Sequence, residues 1–97
     1  MEQYTVYIVS YDISGENHTP IKKHCCENGF SEWVRTKLGR LRRLPNTTLV
    51  GTFASSKQAI DTFARLAREA DPDVVVEKVL ALPADGGYIE SNEETGG

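Results

Sequence analysis

Residues 4–13 form a strand-like run in which both alternating sets of side chains are largely apolar. The run is rich in β-branched and aromatic residues, which favour extended structure. A strand that is apolar on both faces lies inside a sheet and needs cover on each side. The sequence therefore predicts a central strand, around which the rest of the chain must provide that cover.

A helix is expected after a polar turn at residues 14–18. Thr19 is a good N-cap, and Pro20 suits the first helical position. Gly29 leaves two alternatives open: it ends a short helix, with Ser31 capping a second one, or it lies within one longer helix. Both alternatives continue helical structure beyond Gly29.

The middle of the chain predicts a β-hairpin. Residues 40–44 are basic and alternate poorly, which is typical of an edge strand, because charge on an edge discourages unwanted pairing. A turn at residues 45–46 leads to a second strand at 47–53, which is rich in threonine and β-branched residues. We expect these two strands to pair.

A second helix and a last strand complete the pattern. Ser55 and Gln58 have the spacing of a capping box, and an apolar stripe at helical spacing follows them. Residues 71–72, Asp-Pro, should end this helix. Residues 74–82 then predict a strand that ends at Pro83.

The order strand, helix, strand, strand, helix, strand predicts an α+β fold of the ferredoxin-like β-α-β-β-α-β type. Right-handed crossovers place both helices on one face of a four-stranded antiparallel sheet. The other face would expose apolar side chains of the first strand, which favours a homodimer. We assign residues 1–84 to one ferredoxin-like domain and residues 85–97 to an acidic, glycine-rich C-terminal tail.

The charge of the chain is unevenly distributed. Its net charge is −3, from 11 basic and 14 acidic residues, but four of the acidic residues lie in 85–97, where there is no Lys or Arg. The remainder has 11 basic against 10 acidic residues, a net charge of +1. Lys37, Arg40, Arg42 and Arg43 lie within a short run without acids and are the candidate nucleic-acid-binding residues. The alternatives are a charge-guarded edge strand and ion pairs with the tail, which could itself cover the basic face and compete with nucleic acid.

Length and composition suit one domain in the cytoplasm. The chain has 97 residues, contains no apolar run of the ~18 residues that would predict a membrane span, and begins without a secretion-signal pattern. Cys25 and Cys26 are adjacent and cannot link distant segments. They and His24 lack the further ligands of a zinc site, so we expect one buried thiol and one boundary thiol.

The first strand ends in Tyr-Asp-Ile-Ser, residues 11–14, and residues 46–53 read Asn-Thr-Thr-Leu-Val-Gly-Thr-Phe. Over residues 4–82 this pattern resembles the Cas-two family of CRISPR adaptation proteins and its ferredoxin-like relatives outside CRISPR loci. The resemblance implies a homodimer in which the two Asp12 carboxylates face each other across the two-fold axis and hold one divalent metal ion. It implies cleavage of RNA or DNA in some members and a scaffold role in others.

The sequence departs from the family pattern in two places. Residues 15–17 are Gly-Glu-Asn where the family has a basic run, and extra residues occur around 31–43, which fits the non-CRISPR relatives better.

Asp12 is the candidate catalytic residue and metal ligand, with Mg²⁺ as the expected ion. Ser14 would assist at the edge of the metal site, and Arg40, Arg42 and Arg43 would orient phosphate. The alternative role for Asp12 is a hydrogen bond to turn amides at the end of the strand. The predicted function is a nucleic-acid-binding homodimer acting as a metal-dependent endonuclease. The alternative is a noncatalytic dimerisation or adaptor protein, whose protein partner would bind the basic strand and the tail.

Overall fold

The described residues form a small α+β structure with two helices and a four-stranded antiparallel main sheet. The computed structural model describes residues 4–35, 39–84 and 94–95. In chain order the elements are β1 (Thr5–Ile13), α1 (His18–Cys26), β2 (Phe30–Ser31), β3 (Trp33–Arg35), β4 (Leu41–Arg43), β5 (Thr48–Phe53), α2 (Ser56–Ala70), β6 (Val76–Pro83) and β7 (Glu94–Thr95).

The main sheet has the strand order β2-β5-β1-β6. Strand β1 lies between β5 and β6 and is antiparallel to both, so its predicted central position is confirmed. Strands β3, β4 and β7 form a second, three-stranded sheet, also antiparallel.

The core lies between the helices and one face of the main sheet. Val9, Tyr11 and Ile13 are buried alternate residues of β1, so they mark the face that the helices cover. The Tyr11 ring stacks on Phe63 of α2, with 4.4 Å between the ring centroids. Both helices contribute to this single cluster, whose other members are Ile21, Cys25, Phe30, Leu49, Phe53, Ala59, Leu66, Ala67, Val74 and Ala81.

Helix α2 begins as the sequence predicts. The Ser55 hydroxyl accepts a hydrogen bond from the Gln58 N–H at 3.1 Å, and the Gln58 side chain accepts one from the Ala54 N–H at 2.7 Å. These bonds satisfy donors that have no partner within the helix. The helix ends at Ala70, directly before the Asp-Pro pair at residues 71–72.

Helix α1 begins earlier than predicted, and the assignment of Thr19 as N-cap is wrong. Asn17 occupies the N-cap and its side chain donates to Asp71 at 3.1 Å, so no side chain caps this helix. Pro20 therefore lies third in the helix. This position is tolerated because the N–H groups of the first turn have no partner within a helix.

The prediction of helical structure beyond Gly29 is wrong. Gly29 has a φ of 103°, a conformation that glycine adopts without steric cost, and it turns the chain into β2. Phe30 pairs with Gly51 of β5 and is buried in the core. Strand pairing with a residue 21 positions away in sequence therefore overrides the local helical spacing.

The predicted partner of strand 40–44 is also wrong. A strand does form there, as β4 over Leu41–Arg43, but it pairs with β3 and not with β5. The free edge of β5 is already taken by β2. The chain therefore builds β3 and β4 into a separate hairpin.

Both described helices are short, and α2, the longer one, has 15 residues. No helix in the described part of the chain is long and apolar enough to cross a membrane.

Candidate functional site

One face of the main sheet points away from the helices and carries exposed apolar side chains. Val6, Leu80 and Leu82 keep 44%, 55% and 54% of their surface exposed. Ile8 of β1 lies between Leu82 on β6 and Val50 on β5 in the strand register. We call this surface the open sheet face.

Asp12 lies on the same open sheet face, one residue before the end of β1. Its side chain is exposed, and its partner in the strand register is Lys78 of β6. A shallow hollow surrounds the pair, lined by Ser10, Tyr11, Asp12, Thr47, Lys78, Val79 and Leu80. The Asp12 carboxylate is thus open to solvent beside one lysine.

The turn after β1 is held by Ser14 rather than by Asp12. The Ser14 N–H donates to the Val75 carbonyl, and the Ser14 hydroxyl accepts from the Val75 N–H, both at 3.0 Å. Within residues 4–35 and 39–84, the Asp12 carboxylate takes part in no hydrogen bond or ion pair. Among the described residues, Asp12 therefore does not form the hydrogen bonds to turn amides that were its predicted alternative role.

A single chain offers an incomplete metal site at Asp12. One carboxylate provides hard oxygen ligands of the kind that Mg²⁺ prefers. Among the described residues, however, no group of three or more His, Cys, Asp or Glu side chains could hold a metal ion. The positive charge of Lys78 also lowers the attraction of this position for a cation. The second carboxylate would have to come from another copy of the chain.

The predicted basic cluster is centred on β4. Arg42 and Arg43 are consecutive strand residues and so point to opposite faces of the hairpin, while the exposed Arg40 precedes the strand. Lys37 lies outside the described residues. None of the arginines lines the hollow around Asp12, so the structure does not bring the two parts of the predicted site together in one chain.

Arg43 belongs to an ion-pair network that fixes the hairpin to α1. Its guanidinium lies 3.2 Å from Glu32, and the Lys22 ammonium lies 3.6 Å from the same carboxylate. Lys22 also donates to the Asn46 carbonyl at 2.8 Å. The Arg43 guanidinium carbon lies 5.8 Å from the Trp33 ring centroid, within cation–π range. Arg43 therefore forms an ion pair within the β2–β4 region, whereas the predicted alternative was ion pairing with the acidic tail, which stays a prediction.

A groove of about 570 Å³ runs between α1 and the hairpin. Its lining residues are Thr19, Lys22, Lys23, Cys26, Phe30, Ser31, Glu32, Trp33, Arg43 and Asn46. The groove was not predicted from the sequence, because the helical spacing beyond Gly29 left no strand or hairpin at residues 30–35. The paired lysines at 22–23 were the one local signal of a positive surface on α1.

The contacts and burial of His24, Cys25 and Cys26 indicate structural roles for these three residues. The His24 ring lies 2.9 Å from Glu69 and links α1 to α2. Cys25 is fully buried, and this burial raises the pKa of its thiol to about 12. Cys26 is half-buried, and its pKa is raised first by burial and then by the charge of Glu32. The prediction of one buried and one boundary thiol is confirmed.

The end of the chain returns to the basic hairpin. Strand β7 pairs antiparallel with β4, with Leu41 opposite Thr95 and Arg42 opposite Glu94. The other residues of the predicted 85–97 tail lie outside the described residues.

Comparison of the chain with protein-family models, curated proteins and solved structures gave no match. The resemblance to the Cas-two family stays a prediction from the sequence motif.

Proposed function

We propose that this protein is a cytoplasmic, nucleic-acid-binding homodimer with a ferredoxin-like fold of the Cas-two type. The strand order β2-β5-β1-β6 supports the fold proposal if β3 and β4 are regarded as an insertion. Strands β1, β2, β5 and β6 then follow the sequence and spatial order of a ferredoxin-like sheet. The cytoplasmic location is supported by the two adjacent cysteines, which cannot form a stabilising long-range disulfide.

The observation that carries the proposal is the position of Asp12 on the open sheet face. The carboxylate is exposed at the end of β1, and Leu80 lines the same hollow. Leu82 lies further along the same face, opposite Ile8. A second copy packed on this face would remove those side chains from water.

In such a dimer the two Asp12 carboxylates would hold one Mg²⁺ ion. The bound ion would supply a water molecule of lowered pKa for attack on a phosphodiester. Asp12 itself would act only as a ligand, and Ser14 would keep the end of β1 fixed against residue 75 through its two hydrogen bonds.

The basic residues of β4 would contact the phosphate backbone. Arg40 is exposed, and Arg42 and Arg43 point to opposite faces of the hairpin, so a strand of nucleic acid would meet Arg40 and one of the other two. Each such contact adds to an affinity that falls as salt rises.

The second candidate is a noncatalytic dimerisation or adaptor protein of the same fold. Two observations favour it: Lys78 lies opposite Asp12 in the register, and Glu32 already holds Arg43. In this case the open sheet face would serve dimerisation alone, and the β4 hairpin would bind a protein.

The test compares wild type with Asp12→Asn on single- and double-stranded RNA and DNA, with Mg²⁺, Mn²⁺ or a chelator. We expect metal-dependent cleavage that is lost in Asp12→Asn and kept in the control Asp73→Asn, which changes another exposed aspartate. Circular dichroism and sedimentation establish that each variant is folded and dimeric. Absence of cleavage, or equal cleavage by Asp12→Asn, would refute the enzyme.

Binding is measured separately from cleavage. Arg40→Gln should weaken nucleic-acid binding and reduce the slope of log affinity against log salt by about 1. Arg68→Gln, on the exposed surface of α2, is the matched control. A slope that is unchanged in Arg40→Gln would favour the adaptor.

A further inference from the structure

The outer edge of β4 is the surface that joins the basic hairpin to the acidic end of the chain. Strand β4 has β3 on one side and the two residues of β7 on the other. Residues 85–97 carry four acidic residues and no basic one. A short acidic strand thus lies in register with a strand that contains two arginines.

The hydrogen-bonding side of each β4 residue follows from one backbone contact. The Leu44 N–H donates to the Glu32 carbonyl at 2.8 Å, on the side of β3. Backbone groups alternate between the two edges of a strand, so Arg42 also bonds towards β3. The N–H and C=O of Leu41 then face the opposite edge, where Thr95 is the partner in the register.

The two paired sequences are also opposite in charge, since Glu94 is the register partner of Arg42. A two-residue strand gains little from backbone bonds alone, since each contributes modestly in water. Such a strand can therefore be displaced by a stronger competitor.

We propose that the outer edge of β4 is a strand-addition site for the chain's own acidic C-terminal segment, which competes there with nucleic acid. The competition rests on the proposed nucleic-acid binding, whereas the strand addition does not. Residues 94–95 pair with β4, and Glu94 is the register partner of Arg42. A polyanion that approaches Arg42 while these residues are paired with β4 meets a like charge, so its binding favours release of the segment.

The strand addition is tested by amide hydrogen exchange, measured residue by residue by NMR in the full chain. Thr95→Pro removes the N–H that faces Leu41 and disfavours β7, whereas Thr95→Ala keeps that N–H. We expect the Leu41 amide to exchange at least about tenfold faster in Thr95→Pro. The Arg42 amide, which bonds towards β3, is the internal control and should change little.

Three results would overturn the strand addition. The first is a Leu41 amide that exchanges in wild type as fast as an exposed amide. The second is an exchange rate that is the same in wild type and Thr95→Pro. The third is a loss of Leu41 protection when the protein is diluted. Protection lost on dilution would mean that the strand comes from a second copy.

The competition is tested with the same variants and a fluorescent single-stranded oligonucleotide. Thr95→Pro and Glu94→Gln should bind it several-fold more tightly than wild type and Thr95→Ala at equal salt. Faster Leu41 exchange together with unchanged oligonucleotide affinity would refute the competition and leave the strand addition in place. If neither the wild type nor any of the variants binds nucleic acid, the proposed function is refuted as well.

Discussion

Leu82→Asp places a charge on the open sheet face, among its exposed apolar side chains. Leu82 is 54% exposed in the single chain, so a second copy could still bury about half of its side chain. Burying a whole leucine contributes ~1.5–3 kcal/mol, so covering half of it contributes ~0.8–1.5 kcal/mol per copy. A two-fold interface contains the residue twice, and the loss of ~1.5–3 kcal/mol weakens the dimer roughly 10- to 150-fold. Desolvation of the new carboxylate adds to this effect.

Sedimentation velocity over a dilution series measures the dissociation constant of the dimer. Leu82→Met keeps an apolar side chain of similar volume and should leave the constant nearly unchanged. Because the side chain is half-exposed in the single chain, neither variant should alter the far-ultraviolet circular dichroism. A wild type that stays monomeric at every concentration reached, or a Leu82→Asp dimer as tight as wild type, would refute the open sheet face as the interface.

Three further predictions concern the folded chain. Ser55→Ala removes the cap of α2 and should lower the free energy of unfolding by about 1 kcal/mol in a urea titration, and an unchanged midpoint would contradict the cap. Because burial raises the pKa of Cys25 to about 12, a thiol reagent at mildly alkaline pH should modify Cys26 first, in two resolved phases. The hydrogen bond from His24 lowers the pKa of Glu69, so its stabilisation is present above the ordinary glutamate pKa of ~4.3 and is lost as pH falls through the lowered value. Glu69→Gln should therefore flatten the thermal-stability curve below pH ~5, and an equally steep curve would contradict this role.

Local signals in the sequence predicted the parts of the fold that depend on local interactions. The two apolar sets of β1 identified the central strand, and the capping pair at Ser55 identified the start of α2. Asp-Pro at residues 71–72 identified the end of α2, because the residue before a proline avoids helical conformation. For α2 the determining contacts lie within a few residues along the chain. For β1 the signal is local, although its strand partners are distant in sequence.

The segment after Gly29 could not be predicted in this way. Strand β2 has only two residues and is stabilised by pairing with Gly51 and by burial of Phe30. Gly51 was the available signal, because a glycine inside a strand often marks the close approach of another backbone. A Cβ atom there would lie 3.1 Å from the Gly29 carbonyl and 2.6 Å from the Phe53 ring.

In the candidate site, too, only the features that depend on local sequence could be predicted. Strand alternation alone puts Asp12 on the face opposite Tyr11, and the structure has it there and exposed. The pairing of Arg43 with Glu32 depends on the β3–β4 hairpin, which the sequence did not reveal. Interactions across elements that are assigned incorrectly cannot be anticipated from spacing.

The β3–β4 hairpin contributes no side chain to the main core cluster of the described residues. Its contacts with α1 include ion pairs to a single carboxylate, Glu32, which lies between β2 and β3. Substitutions at Trp33, Arg42 or Arg43 therefore create no cavity in the core cluster around Phe63. Over evolutionary time the region between β2 and β5 could diverge in length and charge while the remaining scaffold accumulates few compensating changes. The same separation makes residues 33–43 a suitable place to graft a foreign sequence onto this scaffold.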